Sequence, residues 1–113
     1  MSDLEIYLEA IKNRPPNKGG VSDKLESSTR DGLSERDVSA FINAKATRVQ
    51  RGKVVSLLGE YKIMPGYRVR SMEYMRYDGA ITIALGYTVE HRHGPYLQIV
   101  RYSVGSRGKL TEH

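Results

Sequence analysis

The apolar residues near the start of the chain are spaced i, i+3, i+4 and i+7: they are Leu4, Tyr7, Leu8 and Ile11. This spacing puts them on one face of a helix and predicts a helix over residues 3–12. Pro15-Pro16 ends the helix, because proline removes a backbone donor and disfavours helical geometry in the residue before it. Residues 17–32 contain few apolar side chains and many Gly, Ser, Asp and Lys residues, which is typical of a flexible loop.

A second helical pattern begins at Ser34, which stands at an N-cap position ahead of acidic residues in the first turn. Apolar side chains then share one face, at Val38, Phe41, Ile42 and Val49. After Gly52 the apolar positions return out of phase, at positions 54, 57, 58 and 61. We therefore predict a break near Gly52. The pattern leaves open whether residues 53–61 form a short helix or a strand.

Three consecutive strands are predicted in the second half of the chain. Over residues 67–77 the apolar positions change from odd to even, which predicts a bulge near Ser71. Asp78-Gly79 is a strong signal for a two-residue hairpin turn, and large and small side chains then alternate over 80–89. A turn at 91–95 leads to the third strand over 96–104. The tail 105–113 is rich in Gly, Ser, Arg and Lys, and we expect it to be frayed.

These elements predict an α+β protein in which N-terminal helices pack on one face of a three-stranded antiparallel meander, with a fourth strand as the open alternative. A chain of 113 residues predicts a single domain over 1–113. The absence of cysteine excludes disulfides and thiolate metal sites, and the acidic N-terminus has no apolar signal-peptide segment. The longest uncharged stretch, 79–89, is too short to span a membrane, so we predict a cytoplasmic protein without a membrane partner.

Charge is distributed unevenly along the chain. Residues 1–40 hold six Lys/Arg and eight Asp/Glu, a net charge of −2, whereas residues 41–113 hold twelve and five, a net charge of +7. A strongly basic segment is typical of proteins that bind a polyanion, although ordinary surface charge for solubility is the simpler explanation. We predict nucleic acid, either RNA or single-stranded DNA, as the partner.

Two groups of residues are candidates for binding nucleic acid. The first interleaves arginine with tyrosine on the small-residue face of the sheet, where cations hold phosphates and aromatic rings stack on bases. The second is a basic helix end in the acid-free stretch 38–59. Strand packing also selects tyrosine, and a helix C-terminus also selects cations, so each group has a structural alternative. The predicted binding residues are Lys45, Arg48, Arg51, Lys53, Arg68, Arg70, Tyr74, Arg76, Arg92, Arg101 and Tyr102.

A metal-independent endoribonuclease of the toxin type is an alternative function. That chemistry needs a general base, a general acid and cations for the developing phosphorane charge. The residues suited to it are His91, His93, Glu73, Arg76 and Arg101. Small endoribonuclease toxins are similar only in layout, with helices before an antiparallel sheet, and no motif of theirs is matched. No spacing selects a third ligand beside the two histidines, so we predict no metal site.

A protein-interaction module is a third possibility: an inhibitor, adaptor or assembly factor of a mobile element such as a virus or plasmid. The edges or one face of the predicted sheet would pair with a partner or with another copy, and we expect a homo-oligomer. The sequence has no Walker A loop, no Gly-x-Gly-x-x-Gly after a strand and no Gly-x-Ser-x-Gly. We therefore expect no cofactor, and we favour a binding protein over an enzyme.

Overall fold

The structure is a computed structural model that describes residues 3–4, 22–27 and 29–113. The described residues form β1 (Ser22–Glu26), α1 (Glu35–Ile42), α2 (Arg48–Ile63), β2 (Tyr67–Tyr77), β3 (Ala80–Val89), β4 (Tyr96–Val104) and β5 (Leu110–Glu112). The strands make one antiparallel sheet in the order β1-β2-β3-β4-β5, which confirms the predicted α+β class. The predicted helix over 3–12 lies, beyond its first two residues, outside the described residues.

Two of the strands come from segments that were predicted to be irregular. β1 lies within the predicted loop 17–32, and β5 lies within the predicted frayed tail 105–113. Both are edge strands that pair through backbone groups, β1 with β2 and β5 with β4. An edge strand exposes most of its side chains, so neither has the alternation that marks a buried strand. The prediction of three or four strands was therefore too low, and the two described helices lie between β1 and β2 rather than ahead of the sheet.

The break between the helices lies over residues 43–47, so the predicted break near Gly52 was wrong. Thr47 starts α2 with a capping box: its hydroxyl accepts from the Gln50 N–H at 3.2 Å, and its own N–H donates to Gln50 Oε1 at 3.0 Å. Residues 53–61 are therefore helical. Their apolar positions 54, 57, 58 and 61 are all buried, which explains why the phase changes from that of α1.

Strand pairing divides the sheet into two faces. The large residues of β3 point towards the helices and are buried: Ile81, Ile83 and Leu85. A bulge between Val69 and Ser71 confirms the predicted irregularity and brings the apolar residues of both halves of β2 onto the helix side. No described helix packs on the opposite side, which we call the open face, although Ser71 and Gly86 on it are buried; it includes Lys24, Ser71, Glu73, Met75, Thr82, Ala84, Gly86, Ile99, Arg101 and Ser103.

Two tyrosine hydroxyl groups meet inside the core. Tyr61 of α2 and Tyr102 of β4 form a hydrogen bond of 2.8 Å, and both side chains are buried. Burial raises the pKa of Tyr61 above its ordinary value, and the hydrogen bond with Tyr102 raises this pKa further. Burial also raises the pKa of Tyr74 and that of Tyr87. The folded state therefore favours neutral phenols at these three positions.

The raised tyrosine pKa values predict that the protein loses stability in alkali. A phenol with a raised pKa in the folded state contributes fully below its unfolded pKa of about 10, and this contribution is lost as pH rises above that value. The free energy of unfolding, measured with urea at a series of pH values, should be level near neutrality and fall above about pH 10. Tyr61→Phe should make the fall shallower. The matched control, Tyr77→Phe at a ring that is 79% exposed, should leave it unchanged; equal profiles for both variants would contradict the assignment.

A substitution at Gly52 should stabilise the protein, because Gly52 lies inside α2 and an added Cβ would meet nothing within 4 Å. Gly52→Ala should raise the free energy of unfolding by about 0.5–1 kcal/mol, since alanine loses less backbone entropy in a helix. Gly108→Ala is the control, and it should lower the free energy of unfolding. Gly108 has a φ of +89°, and a Cβ there would lie 2.5 Å from Val49 Cγ1. Urea unfolding that shows no gain for Gly52→Ala would contradict the helical assignment.

Candidate nucleic-acid interface

The side chain of Gln50 joins the start of α2 to two strands. Its Nε2 donates to the carbonyl of Gly79 in the β2–β3 turn at 2.9 Å and to the carbonyl of Val104 at the end of β4 at 3.3 Å. Its Oε1 is occupied by the Thr47 N–H of the capping box. Gln50 is only 2% exposed, so one buried amide fixes the position of the first turn of α2 against this end of the sheet.

The turn between β4 and β5 packs on the same first turns of α2. Gly108 lies so close to Val49 and Lys53 that only glycine fits, and its φ of +89° also favours glycine. Within the turn, the N–H of Gly105 donates to the carbonyl of Lys109 at 2.9 Å. Arg107 and Lys109 are therefore held beside α2, although they lie in the segment that was predicted to be frayed.

Seven cationic side chains surround this end of the protein, which we call the basic end: Lys45, Arg48, Arg51, Lys53, Arg76, Arg107 and Lys109. They come from the junction between the helices, from the first turns of α2, from the end of β2 and from the β4–β5 turn. Two carboxylates, Asp23 and Asp78, are near them. The exposed ring of Tyr77 stands at the same end, next to the β2–β3 turn.

Most of the cations at the basic end are not neutralised within the described part of the chain. Lys45 pairs with Asp23 at 2.7 Å and lies 3.9 Å from the ring centroid of Phe41. Arg51 donates to the side-chain oxygen of Asn43. The remaining five cations form no ion pair with any described carboxylate: they are Arg48, Lys53, Arg76, Arg107 and Lys109. Positive charge therefore remains available to a partner.

The cations of α2 oppose the preference of the helix dipole. The first turn of α2 contains no acidic residue, and Arg48 and Arg51 stand in it or directly after it. A helix N-terminus carries a partial positive charge, so cations there cost a few tenths of a kcal/mol, up to about 1 kcal/mol, instead of stabilising the helix. In the sequence, the preference of a helix C-terminus for cations is an alternative explanation of the basic helix end. The structure excludes that explanation, because the basic stretch lies at the N-terminus of α2 and not at the C-terminus of a helix.

The strand register does not bring the residues predicted for the sheet face onto one face. Tyr74 and Tyr102 lie opposite Ile83 on the helix side and are 3% and 8% exposed, so neither ring is free to stack on a base. Tyr74 donates its hydroxyl hydrogen to the carbonyl of Lys45. Arg76 also lies on the helix side, opposite Ile81. The bulge in β2 puts Tyr74 and Arg76 on the helix side, and the pairing of β4 with β3 does the same for Tyr102.

The other arginines predicted for the sheet face do not form one patch. Arg70 is 7% exposed and donates to the carbonyl of Thr29, and burial lowers its pKa. Arg68 and Arg101 lie on the open-face side of β2 and β4, with Arg68 donating to the carbonyl of Tyr67 at 2.6 Å. Arg92 is exposed in the β3–β4 turn, at the end of the sheet opposite the basic end.

The residues proposed for ribonuclease chemistry are not brought together. The rings of His91 and His93 are 5.5 Å apart in the β3–β4 turn. Glu73 lies opposite Ala84, and the chain from Ala84 to His91 spans roughly 20 Å at about 3.3 Å per residue. Arg101 flanks Ala84 on the open face, and Arg76 lies on the other side of the sheet. Across the described residues, no three His, Asp or Glu side chains are arranged to hold a metal ion.

Comparisons with protein families, with curated proteins and with solved structures find no match to this chain. Among the residues that the structure describes, no helix has the length and apolar character needed to cross a membrane. The candidate interface therefore depends on the geometry of this chain alone. Sequence reasoning missed Arg107 and Lys109; the signal that marks them is Gly108, whose positive φ indicates an ordered turn rather than a frayed tail.

Gln50 offers a test of how the basic end is assembled. Gln50→Leu removes the donor to two carbonyl groups and the acceptor for the Thr47 N–H, so the free energy of unfolding should fall by about 2 kcal/mol. The control is Gln98→Leu, at an exposed position of β4, which should change it by less than about 0.5 kcal/mol. Urea unfolding measures the free energy of unfolding of both variants. Equal effects of the two variants would show that the Gln50 amide does not hold this end together.

Proposed function

We propose that the protein binds nucleic acid through the basic end, mainly by contacts with the phosphate backbone. The observation that carries the proposal is the group of five cations without a carboxylate partner among the described residues. Arg48 and Lys53 extend from the first turns of α2, where the partial charges of the helix add to theirs. Arginine and lysine that gain nothing from their own helix are well suited to hold an external anion.

Binding at this site is largely independent of base sequence. Phosphate contacts position a nucleic acid without reading its bases, and among the described residues the strongly exposed ring at the basic end is Tyr77, at 79% exposure. That ring supplies at most one stacking contact with an unpaired base. We do not propose ribonuclease activity, because the histidines and Glu73 lie far apart along the sheet.

Nucleic-acid affinity should depend steeply on salt. Each neutralised phosphate releases counterions, so about five phosphate contacts should lower the affinity by roughly 10²–10³-fold between about 50 and 200 mM salt. Fluorescence anisotropy with a labelled single-stranded oligonucleotide measures this directly. No binding at the lower salt concentration would remove the proposal.

The site itself is tested with variants in the same titration. Arg48→Ala and Lys53→Ala should each weaken binding and reduce the salt slope by about one contact. Arg92→Ala, in the turn at the opposite end of the sheet, is the matched control and should bind as the unchanged protein does. Equal losses for Arg48→Ala and Arg92→Ala would place binding elsewhere on the protein.

A further inference from the structure

Part of the outer edge of β4 has no partner strand among the described residues. β5 pairs only with residues 102–104, and the N–H of His113 donates to the carbonyl of Arg101 at 2.9 Å. No described strand lies beside residues 96–100 on this side, which we call the free edge. An edge of this kind presents backbone N–H and C=O groups with which a further strand can pair.

The alternation of the backbone along β4 shows which groups the free edge presents. In an antiparallel sheet, the residues of a strand bond alternately to the neighbour on one side and to the neighbour on the other. The carbonyl of Arg101 bonds on the β5 side, where it accepts from His113. The N–H and C=O groups of Leu97 and Ile99 therefore point outwards from the free edge.

The free edge lacks the charges that keep sheet edges apart. Residues 96–100 read Tyr-Leu-Gln-Ile-Val and contain no charged side chain. Two of the apolar side chains are strongly exposed, Tyr96 at 42% and Ile99 at 50%. Charged residues on an edge strand oppose pairing with another chain. The outer strand on the other side of the sheet, β1, has them at three of its five positions: Asp23, Lys24 and Glu26.

The free edge is complementary to itself when two copies meet with antiparallel strands. Its five residues are centred on Gln98, so a twofold axis through Gln98, perpendicular to the sheet, places Leu97 of each copy opposite Ile99 of the other. Each of these two pairs exchanges two backbone hydrogen bonds, which gives four in all. A register shifted by one residue would set the outward groups against groups that already bond to β3.

Both ends of the free edge fit this register. At one end, His113 occupies the position opposite Arg101, so pairing with a second strand stops at Val100. At the other end, Pro95 has no N–H and lies just outside the paired segment, so it removes no donor from the ladder. The β3–β4 turn leads from Pro95 back to β3, away from the second copy.

Side chains match on both faces of the joined sheet, because the axis keeps the helix sides of the two copies on the same face. On that side Tyr96 faces Val100 of the other copy, an aromatic and β-branched pair that stabilises antiparallel strands. On the opposite side Leu97 faces Ile99. At the axis Gln98 faces Gln98, and each amide group can donate to the other.

We propose that a second copy of this chain pairs with the free edge through its own β4, centred on Gln98, so that the two sheets form one continuous sheet. Five paired residues extend over about 17 Å at about 3.3 Å per residue. This is a small interface, so the association is reversible and depends on protein concentration. The dimer does not depend on nucleic-acid binding, and its antiparallel strands place the two basic ends on opposite sides of the axis.

Sedimentation equilibrium without nucleic acid, over a range of protein concentrations, tests the dimer. The unchanged chain should approach twice its monomer mass as the concentration rises. Leu97→Glu with Ile99→Glu should weaken dimerisation, because carboxylates then oppose each other in both pairs. Leu97→Lys with Ile99→Glu removes the same apolar side chains but sets opposite charges in both pairs. Its dimer should be at least about tenfold tighter than that of the variant with two glutamates.

Amide hydrogen exchange of the unchanged chain locates the contact without any substitution. The N–H groups of Leu97 and Ile99 should exchange more slowly as the protein concentration rises, because the second copy accepts them. The matched control is Met75→Glu, at a strand residue of β2 that is 47% exposed and away from the free edge. It should leave both the association and this protection unchanged, and thermal unfolding checks that every variant is folded.

Three results would overturn the proposal. The first is a chain that stays monomeric at every concentration up to about 1 mM. The second is a dimer in which the N–H groups of Leu97 and Ile99 gain no protection, since its contact would lie elsewhere on the protein. The third is equal association of the two double variants, which would show that positions 97 and 99 do not face each other across the axis.

Discussion

The strict alternation of side-chain size along β3 constrains the whole sheet. Ile81, Ile83 and Leu85 must leave water, so they define the face on which α1 and α2 pack. Backbone pairing then transfers that choice to β2 and β4, since paired residues share a face. Tyr74 and Tyr102 are buried for this reason. The opposite side of β3 carries the smaller residues, among them Thr82, Ala84 and Gly86.

The basic end is built by a different interaction, the hydrogen bonds of one buried amide. Gln50 satisfies the carbonyl groups of Gly79 and Val104 while it caps α2, so the first helical turn cannot shift along the sheet without leaving polar groups unpaired. Arg48 lies in this turn, and Arg51 and Lys53 follow it. Their charges are unfavourable for the helix itself, and this small cost supports the proposal that they bind a partner.

The basic end relies on charge that is exposed and therefore sensitive to salt. Its cations come from the junction between the helices, the first turns of α2, the end of β2 and the β4–β5 turn, so their grouping depends on how α2 packs on the sheet. The proposed binding surface is therefore a property of the folded chain and not of any one segment.

The sequence alone determined four features, because each follows from local spacing and backbone preference. They are the α+β class, the bulge near Ser71, the hairpin at Asp78-Gly79 and the two faces of β3. The tertiary structure alone decided the rest. Tyrosine suits both buried and exposed positions, so only the register could assign Tyr74 and Tyr102 to the core. The edge strands depend on backbone pairing with distant segments, and the basic end joins cations from α2 and the β4–β5 turn, which no local pattern can bring together.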